Sequence, residues 1–194
     1  MNKYSIITNR DKTILELIEE LRLVDLYVVD SMLFSNTKGT RVAQRRLTTL
    51  CEARKLKRYR ENQISSYVYY KGNKPKNIKH SLLVSHFVAE LKLLGAEIIK
   101  IKREWLISKG IKIDLFIAYK INGKNYIAIV EVENTKSFQE KYSKLENYYL
   151  TQGYRELFPI MPKVICISDK SFNKNVLEAT QIDTEFKNIK LLVK

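Results

Sequence analysis

Four carboxylates lie within or beside apolar segments between residues 81 and 135. Glu90 falls in an apolar helical segment, Asp114 lies at the start of the apolar run IDLFIAY, and Glu131 and Glu133 close the run YIAIVEVENT. A carboxylate buried without a partner is unfavourable, so such groups generally have a catalytic role, a binding role or an ion-pair partner. These four residues are therefore candidate catalytic or metal-binding groups.

The carboxylates after Glu90 follow the spacing D-x16-E-x-E on adjacent predicted strands. This spacing resembles the PD-(D/E)XK nuclease-like fold. The resemblance implies that the carboxylates hold a divalent ion, Mg²⁺ or Mn²⁺, and that a Lys two residues after the Glu helps to activate water. The chain departs from the motif because Lys112 and Ile113 precede Asp114 without the Pro, and because Glu133 occupies the position of the Lys.

Glu133 stands where the motif has its Lys, and a Lys of the next predicted helix could supply the missing ammonium instead. Lys136, Lys141 and Lys144 all lie there, and we include Lys144 among the candidate site residues. The alternative, which we favour, is a nuclease-like domain without activity, in which Glu131 and Glu133 cap a strand or pair with basic residues. No cofactor is required in that case, and the chain is then a non-enzymatic protein.

A basic helix in the first half of the chain is the other candidate site. Residues 40–54 (TRVAQRRLTTLCEAR) predict a helix with one apolar face, formed by Ala43, Leu47, Leu50 and Cys51. The opposite face carries Arg41, Gln44, Arg45 and Thr48. In a helix-turn-helix the recognition helix lies in the major groove, where Arg suits guanine and Gln suits adenine. These four residues are therefore the candidate base-reading residues.

Further basic residues surround this helix and continue into the segment that follows it. Residues 38–60 carry nine basic residues and one acidic residue, Glu52. Six of them are candidate phosphate contacts: Lys38, Arg46, Lys55, Lys57, Arg58 and Arg60. The alternative is an ordinary amphipathic surface helix with solvated charges. We favour DNA binding because a helix pair, a basic helix and a basic β-wing follow one another in the order that a winged helix requires.

The elements that position the basic helix form a predicted winged helix-turn-helix domain over residues 1–72. Helices are predicted at 11–24, with Asp11 as N-cap, and at 26–34, followed by the turn-rich residues 35–39. After the basic helix, β-forming residues on both sides of a polar tip at 61–63 predict the wing. The Lys-, Asn- and Pro-containing segment 71–79 reads as a linker.

The second predicted domain, residues 80–194, is an α/β domain with a mixed sheet, which makes the whole chain α+β. Helices are predicted at 81–94, 136–151 and 172–181, and strands at 97–102, 112–119, 125–133, 163–168 and 189–193. A strand, a helix and a further strand in succession favour a parallel pair, so the sheet is expected to be mixed.

Composition and charge favour a polyanionic partner. The chain has 35 basic and 21 acidic residues, a net charge of +14, and residues 1–80 hold 17 basic against 8 acidic residues, or +9. No apolar run is long enough to span a bilayer, and no signal-peptide h-region is present, so we expect a cytoplasmic protein. Cys51 and Cys166 lie in apolar segments and are expected to be buried thiols, and no structural metal is expected.

The whole layout resembles the replication-relaxation family of plasmids and integrative elements. The resemblance rests on residues 41–59 (RVAQRRLTTLCEARKLKRY), His80, Asp114, the EVE at 131–133 and the KYSKLENYYL segment at 141–150. It implies a winged helix joined to a degenerate nuclease-like domain, in a protein that binds an origin of plasmid replication or conjugative transfer. It also implies assistance to relaxation or nicking by another enzyme, so a relaxase or replication protein is an expected partner.

Three functions are therefore open on the sequence. The favoured one is a sequence-specific, double-stranded-DNA-binding accessory protein, which forms a homodimer if it matches two half-sites. The alternative is a metal-dependent endonuclease or nickase that uses Asp114, Glu131 and Glu133. A third is an interaction module whose second domain docks a relaxase or replication protein, with the charge serving solubility.

Overall fold

Five α-helices, a three-stranded antiparallel sheet and a five-stranded mixed sheet make up the described part of the chain, which is mixed α+β as expected. The computed structural model describes residues 7–34, 40–133 and 138–193. It divides into two units, residues 1–93 and residues 94–194. Each candidate site lies within one of these units.

The first unit contains the predicted helix pair and basic helix, followed by a short antiparallel hairpin over residues 57–70. This hairpin stands at the position predicted for the wing, and we call it the wing. Its elements are α1 (Asn9–Leu21), β1 (Val24–Asp25), α2 (Leu26–Leu33), α3 (Arg41–Glu52), β2 (Lys57–Tyr59), β3 (Val68–Tyr70) and α4 (Ile78–Leu93). The strands are antiparallel in the order β1-β3-β2. Apolar residues of α1, α2 and α3 are buried, including Ile14, Ile18, Val28 and Leu47, so one face of each helix forms the core.

The N-terminus of α1 differs in detail from the prediction. Thr8, rather than Asp11, is the N-cap residue. Asp11 is the third helical residue, and its carboxylate accepts hydrogen bonds from the Thr8 backbone N–H and hydroxyl, both at 2.8 Å. The two residues form a capping box, a motif in which a Thr and an acidic residue three positions later satisfy each other's backbone N–H groups.

Helix α4 lies in the first unit, whereas the predicted boundary at 71–79 assigned it to the second. Two polar contacts hold it there. His86 Nε2 lies 2.8 Å from Asp25 Oδ2, and the Ser85 hydroxyl donates to the carbonyl of Leu23. These contacts join residues more than sixty positions apart, so the local composition of the linker did not indicate them. Asp25 also caps α2, because its Oδ1 accepts from the Val28 N–H at 3.0 Å.

The second unit is built around the five-stranded sheet. Its elements are β4 (Glu97–Ser108), β5 (Ile111–Ile121), β6 (Lys124–Val132), α5 (Gln139–Leu150), β7 (Lys163–Ile167) and β8 (Ala179–Ile182). The strand order is β4-β5-β6-β7-β8, antiparallel from β4 to β6 and parallel from β6 to β8. The mixed sheet and its parallel pair across α5 are therefore confirmed.

Two predicted elements at the C-terminal end are wrong. Residues 172–181 were expected to be helical, but β8 occupies 179–182 and pairs with β7. Residues 189–193 were expected to form a strand and instead form a 3₁₀-helix. The spacing explains the second case, because the buried residues of this segment are Ile189 and Leu192, three positions apart, as one face of a 3₁₀-helix requires.

One side of α5 packs in the core of the second unit. Tyr142, Leu145 and Tyr148 are buried, whereas Tyr149 is exposed at 36%. Trp105 makes edge contacts with Phe116 and Phe158, which places it against the same core. Cys166 is buried and Cys51 is half-buried, and both are free thiols.

Candidate functional site

Helix α3 presents a polar face opposite its buried face. Ala43, Leu47 and Leu50 are buried, and Arg41, Gln44 and Arg45 are exposed. Thr48 is half-buried, and its hydroxyl donates to the Gln44 carbonyl at 2.9 Å. Neither Arg41 nor Arg45 pairs with an acidic residue in the described ranges. The predicted base-reading residues therefore share one surface, and two guanidinium groups on it face solvent.

Arg46, a predicted phosphate contact, has a different role in the structure. Its Nε donates to Asp11 Oδ1 at 2.8 Å, and its Nη2 pairs with Asp11 Oδ2 and donates to the Thr8 hydroxyl. Asp11 is 1% exposed. Burial alone would raise the pKa of Asp11, but the hydrogen bonds from Arg46 and Thr8 outweigh it and lower that pKa. The Arg46 guanidinium therefore fixes α3 to the start of α1.

The wing carries most of the remaining predicted phosphate contacts. Lys55, Lys57, Arg58 and Arg60 are all exposed. The Arg58 and Arg60 guanidinium carbons lie 4.5 and 4.9 Å from the centre of the Tyr67 ring, so one aromatic ring orders two cations. The Lys57 ammonium donates to the Gly72 carbonyl at 2.9 Å. Lys38 lies outside the described residues.

A cleft of about 730 Å³ borders the wing within the first unit. Tyr59, Val68, Ile78 and Leu82 give it an apolar floor. Its rim is mostly cationic and consists of Arg60, Lys74, Lys76 and Lys79, opposed by Glu61 and Asp25. The Lys74 ammonium lies 3.9 Å from the centre of the Tyr59 ring. Cations therefore lie beside the wing as well as on it.

The carboxylates of the second unit converge on a single ammonium. Lys141, in the first turn of α5, has its Nζ 2.6 Å from Glu131 Oε2, 3.2 Å from Glu133 Oε1 and 3.4 Å from Asp114 Oδ2. Asp114 lies on β5, Glu131 on β6 and Glu133 directly after β6. Asp114 Oδ2 also accepts from the Val132 N–H at 2.9 Å, which fixes this carboxylate beside the end of β6. We call Asp114, Glu131, Glu133 and Lys141 the carboxylate cluster.

The electrostatics of the carboxylate cluster follow from its burial and its excess of negative charge. Glu131 is 1% exposed, and burial together with repulsion from Asp114 raises its pKa well above the ordinary value despite the attraction of Lys141. Burial opposes the charge on Lys141, but its interactions with Glu131 and Asp114 outweigh burial and raise its pKa. Three carboxylates against one ammonium would carry a charge of −2 if all were ionised, so the cluster favours retaining a proton on Glu131.

Of the two candidate lysines in the described part of α5, the structure places Lys141 at this site. Lys144 instead pairs with Glu140 at 2.9 Å on the exposed side of α5, so its inclusion among the site residues is not supported by this geometry. Lys136 lies outside the described residues. The position of Lys141 in the first turn of the crossover helix could have indicated this choice, because that turn lies close to the end of the preceding strand.

Glu90 does not join the carboxylate cluster, because it belongs to the first unit. Its carboxylate accepts a hydrogen bond from the Tyr27 hydroxyl. Burial, and then the hydrogen bond to Glu90, raise the pKa of Tyr27 to about 12. Glu90 therefore has a hydrogen-bond partner on α2, which accounts for the presence of an acidic residue in the apolar helix α4.

Residues 7–34, 40–133 and 138–193 were compared with the arrangements that a metal site and a membrane-spanning helix require. Within these ranges, no group of three or more His, Cys, Asp and Glu side chains is arranged to hold a metal ion. No helix there is both long enough and apolar enough to cross a membrane. In the carboxylate cluster, the Lys141 ammonium lies among the carboxylate oxygens that a metal ion would need as ligands.

Comparison with known proteins finds no matching family model, no similar curated protein and no similar solved structure.

Proposed function

We propose that the chain is a sequence-specific double-stranded-DNA-binding protein whose first unit is a winged helix-turn-helix domain. The observation that carries this proposal is the polar face of α3, on which Arg41, Gln44 and Arg45 are exposed together. Arg is suited to bidentate hydrogen bonds with guanine and Gln to bidentate hydrogen bonds with adenine in the major groove. Helix α3 is then the recognition helix.

The order of elements in the first unit supports the proposal. Two helices precede α3, and an antiparallel hairpin of β2 and β3 follows it. The Arg46–Asp11 pair anchors α3 through its half-buried side, so the exposed face keeps a fixed orientation. A solvated amphipathic helix needs no such anchor and no adjoining hairpin with cations ordered on an aromatic ring. Lys55, Lys57, Arg58 and Arg60 then contact phosphates and set the register of the helix on DNA.

The biological setting that we propose is a mobile genetic element. The resemblance to the replication-relaxation family favours an accessory protein that acts at an origin of plasmid replication or conjugative transfer. In this proposal the second unit is a PD-(D/E)XK-like domain whose carboxylate cluster is a structural ion-pair network. In this proposal a partner such as a relaxase nicks the DNA.

The test measures DNA affinity by fluorescence anisotropy on duplexes selected from a random pool by the wild-type protein. Arg41→Ala with Arg45→Ala is expected to lower affinity for the selected duplex about tenfold to a hundredfold, and for unrelated duplexes far less. Lys57→Ala with Arg58→Ala is expected to weaken binding to all duplexes and to reduce the slope of log K against log salt by about two.

The matched control for this test is Lys109→Ala with Lys124→Ala. This variant removes two exposed positive charges from the second unit, one in the turn between β4 and β5 and one at the start of β6, and so changes the net charge equally. It should bind DNA as the wild type does. If all three double variants lose affinity equally, the binding reflects total charge, and the proposed recognition surface is wrong.

A metal-dependent DNA nuclease is the second candidate function, and one observation favours it. Lys141 brings to Asp114 and Glu131 the ammonium that the E-x-E sequence lacks. The oxygen donors are of the type that Mg²⁺ and Mn²⁺ prefer. As arranged, however, these oxygens surround the Lys141 ammonium, so the residues do not fit a resident metal.

Incubation of pure protein with supercoiled plasmid and Mg²⁺ or Mn²⁺ distinguishes the two candidates. Nicking by the wild type that is lost in Asp114→Asn and in Glu131→Gln would establish the nuclease. Arg41→Ala with Arg45→Ala serves as the matched variant, since it should alter where the plasmid is cut without removing the cutting itself. We expect no nicking in any of these proteins.

A further inference from the structure

The tip of the wing exposes an isolated apolar side chain. Ile64 lies in the segment of residues 60–67 that joins β2 to β3, and it is 97% exposed. No other large hydrophobic residue in the described ranges is as exposed, and the next is Ile160 at 64%. An isolated exposed Ile is ordinary on a protein surface, so its meaning depends on how it is held and on what surrounds it.

The tip holds Ile64 in a defined turn. The side-chain oxygen of Asn62 accepts hydrogen bonds from the Ile64 N–H at 3.0 Å, the Ser65 N–H at 2.8 Å and the Ser65 hydroxyl at 2.8 Å. Arg60 donates to the Gln63 carbonyl at 3.3 Å from the near side of the tip. One asparagine therefore orders the backbone on which Ile64 projects into solvent.

Cations lie beside the segment that carries Ile64. Arg58 and Arg60 lie against the Tyr67 ring, and Lys74, Lys76 and Lys79 line the cleft that borders the wing, together with the acidic Glu61. An apolar tip beside a mainly cationic surface matches a groove of DNA, which has charged phosphate walls and an interior of stacked bases. A protein docking patch would instead be expected to extend the apolar surface beyond one residue.

We propose that Ile64 is a minor-groove wedge that inserts at a base step and bends the bound DNA. The inference rests on the proposed DNA-binding function: with α3 in the major groove, the hairpin that follows it extends toward the neighbouring minor groove. Apolar side chains such as Ile enter base steps from the minor groove and kink the duplex by about 20–90°. Pyrimidine–purine steps unstack most readily, so the target step is of that class.

The experiment uses the full chain and selected duplexes of about 30 base pairs, labelled at both ends for energy transfer. The wild type is expected to shorten the end-to-end distance on binding. Ile64→Ala and Ile64→Ser should lose most of this shortening, while their affinity falls by less than about tenfold, because the α3 and phosphate contacts remain. Ile64→Met, which keeps an apolar wedge, should retain most of the bend.

Two further measurements locate the wedge. A 2-aminopurine placed at one pyrimidine–purine step should brighten when the wild type binds and remain dim with Ile64→Ala. Asn62→Ala, which removes the three hydrogen bonds of the turn, should reduce the bend without removing an apolar group. Ile160→Ala is the matched control, because it truncates an exposed Ile of the second unit and should bend DNA as the wild type does.

The outcomes separate this inference from the proposed function. If the wild type binds a selected duplex without bending it, or if Ile64→Ala bends it as fully as the wild type, the wedge is overturned and DNA binding stands. If the wild type binds no duplex, both proposals fall. Loss of bending in Ile64→Ala, with affinity largely retained and rescue by Ile64→Met, establishes the wedge.

Discussion

Arg46 shows how a basic residue predicted to contact DNA can serve the fold instead of a ligand. It follows Arg45 in sequence, yet its guanidinium turns from the exposed face of α3 toward the buried Asp11. A helix rotates its side chains by about 100° per residue, so adjacent arginines face different surroundings. Charge counting therefore includes Arg46 among the phosphate contacts, whereas its ion pair with Asp11 gives this half-buried side chain a structural role between α3 and α1.

Arg46→Met is expected to destabilise the protein by about 2 kcal/mol, because it leaves the Asp11 carboxylate buried without its cation. The pKa of Asp11 is lowered in the folded state, so the stability from this pair is present above the ordinary value of 3.8 and lost as the pH falls through the lowered pKa. The difference between wild type and variant in urea unfolding should therefore shrink at strongly acidic pH. Arg41→Met is the control and should leave the free energy of unfolding unchanged at pH 7.

Glu131 gives the opposite dependence on pH. Its pKa is raised in the folded state, so its contribution to stability is present below the ordinary value of 4.5 and decreases as the pH rises toward the raised pKa. Glu131→Gln removes this titration. Thermal unfolding should show the variant gaining stability relative to the wild type as the pH rises above 4.5.

The control for this second prediction is Glu178→Gln, which changes an exposed carboxylate of the same unit. It should follow the wild-type profile. A Glu131→Gln profile parallel to that of the wild type across this pH range would show that Glu131 is ionised throughout, and that Lys141 dominates the carboxylate cluster.

At the scale of elements, the sequence predicts the helices and strands whose apolar residues follow a regular spacing. Helices α1 to α4 and strands β5 to β7 lie within about three residues of their predicted bounds, whereas β4 continues to Ser108, well beyond its predicted end at residue 102. Strand β8 was missed because long-range contacts hold the chain that leads into it. The Tyr142 hydroxyl donates to the Leu177 carbonyl at 2.7 Å and accepts from the Asn175 N–H at 2.9 Å. No pattern within 172–181 shows these partners.

Apolar periodicity likewise predicts only those parts of the two candidate sites that do not depend on long-range contacts. Periodicity predicts the exposed face of α3, because that face follows from a single helix. It predicts Asp114 and Glu131 as functional candidates, because both lie on apolar strands. Apolar periodicity alone does not choose between Lys141 and Lys144; the place of Lys141 in the first turn of the crossover helix is the signal that favours it. Nor does periodicity find the turn that Asn62 builds, because the hydrogen bonds of this turn depend on the conformation of the tip.

Glu146 is expected to hold the chain that enters β8. Its Oε1 accepts from the Val176 N–H at 2.7 Å and from the Leu177 N–H at 3.3 Å, which ties α5 to this segment. Glu146→Ala should therefore speed amide hydrogen exchange at residues 176–182 while leaving β5 and β6 protected. Glu140→Ala, on the exposed side of α5, is the control. Unchanged exchange at 176–182 in Glu146→Ala would show that pairing with β7 alone holds the strand.

At the scale of the whole molecule, each candidate site is complete within one unit. The polar face of α3, the wing and its cleft lie in residues 1–93, and the carboxylate cluster lies in residues 94–194. Positive charge is also concentrated in the first part of the chain, with +9 of the total +14 in residues 1–80. DNA affinity and the integrity of the carboxylate cluster are therefore expected to be independent properties.

Lys141→Met tests this independence. Removing the ammonium leaves Asp114, Glu131 and Glu133 without their shared cation, so the thermal unfolding temperature should fall. DNA affinity measured at a temperature where the variant is folded should remain within about twofold of wild type, because mutations without shared partners act additively. Lys109→Met removes an equal charge from an exposed position of the same unit and corrects for the change in net charge. A loss of affinity in Lys141→Met that Lys109→Met does not share would show that the cluster contributes to DNA binding, which would favour a nuclease-like role for the second unit over a structural one.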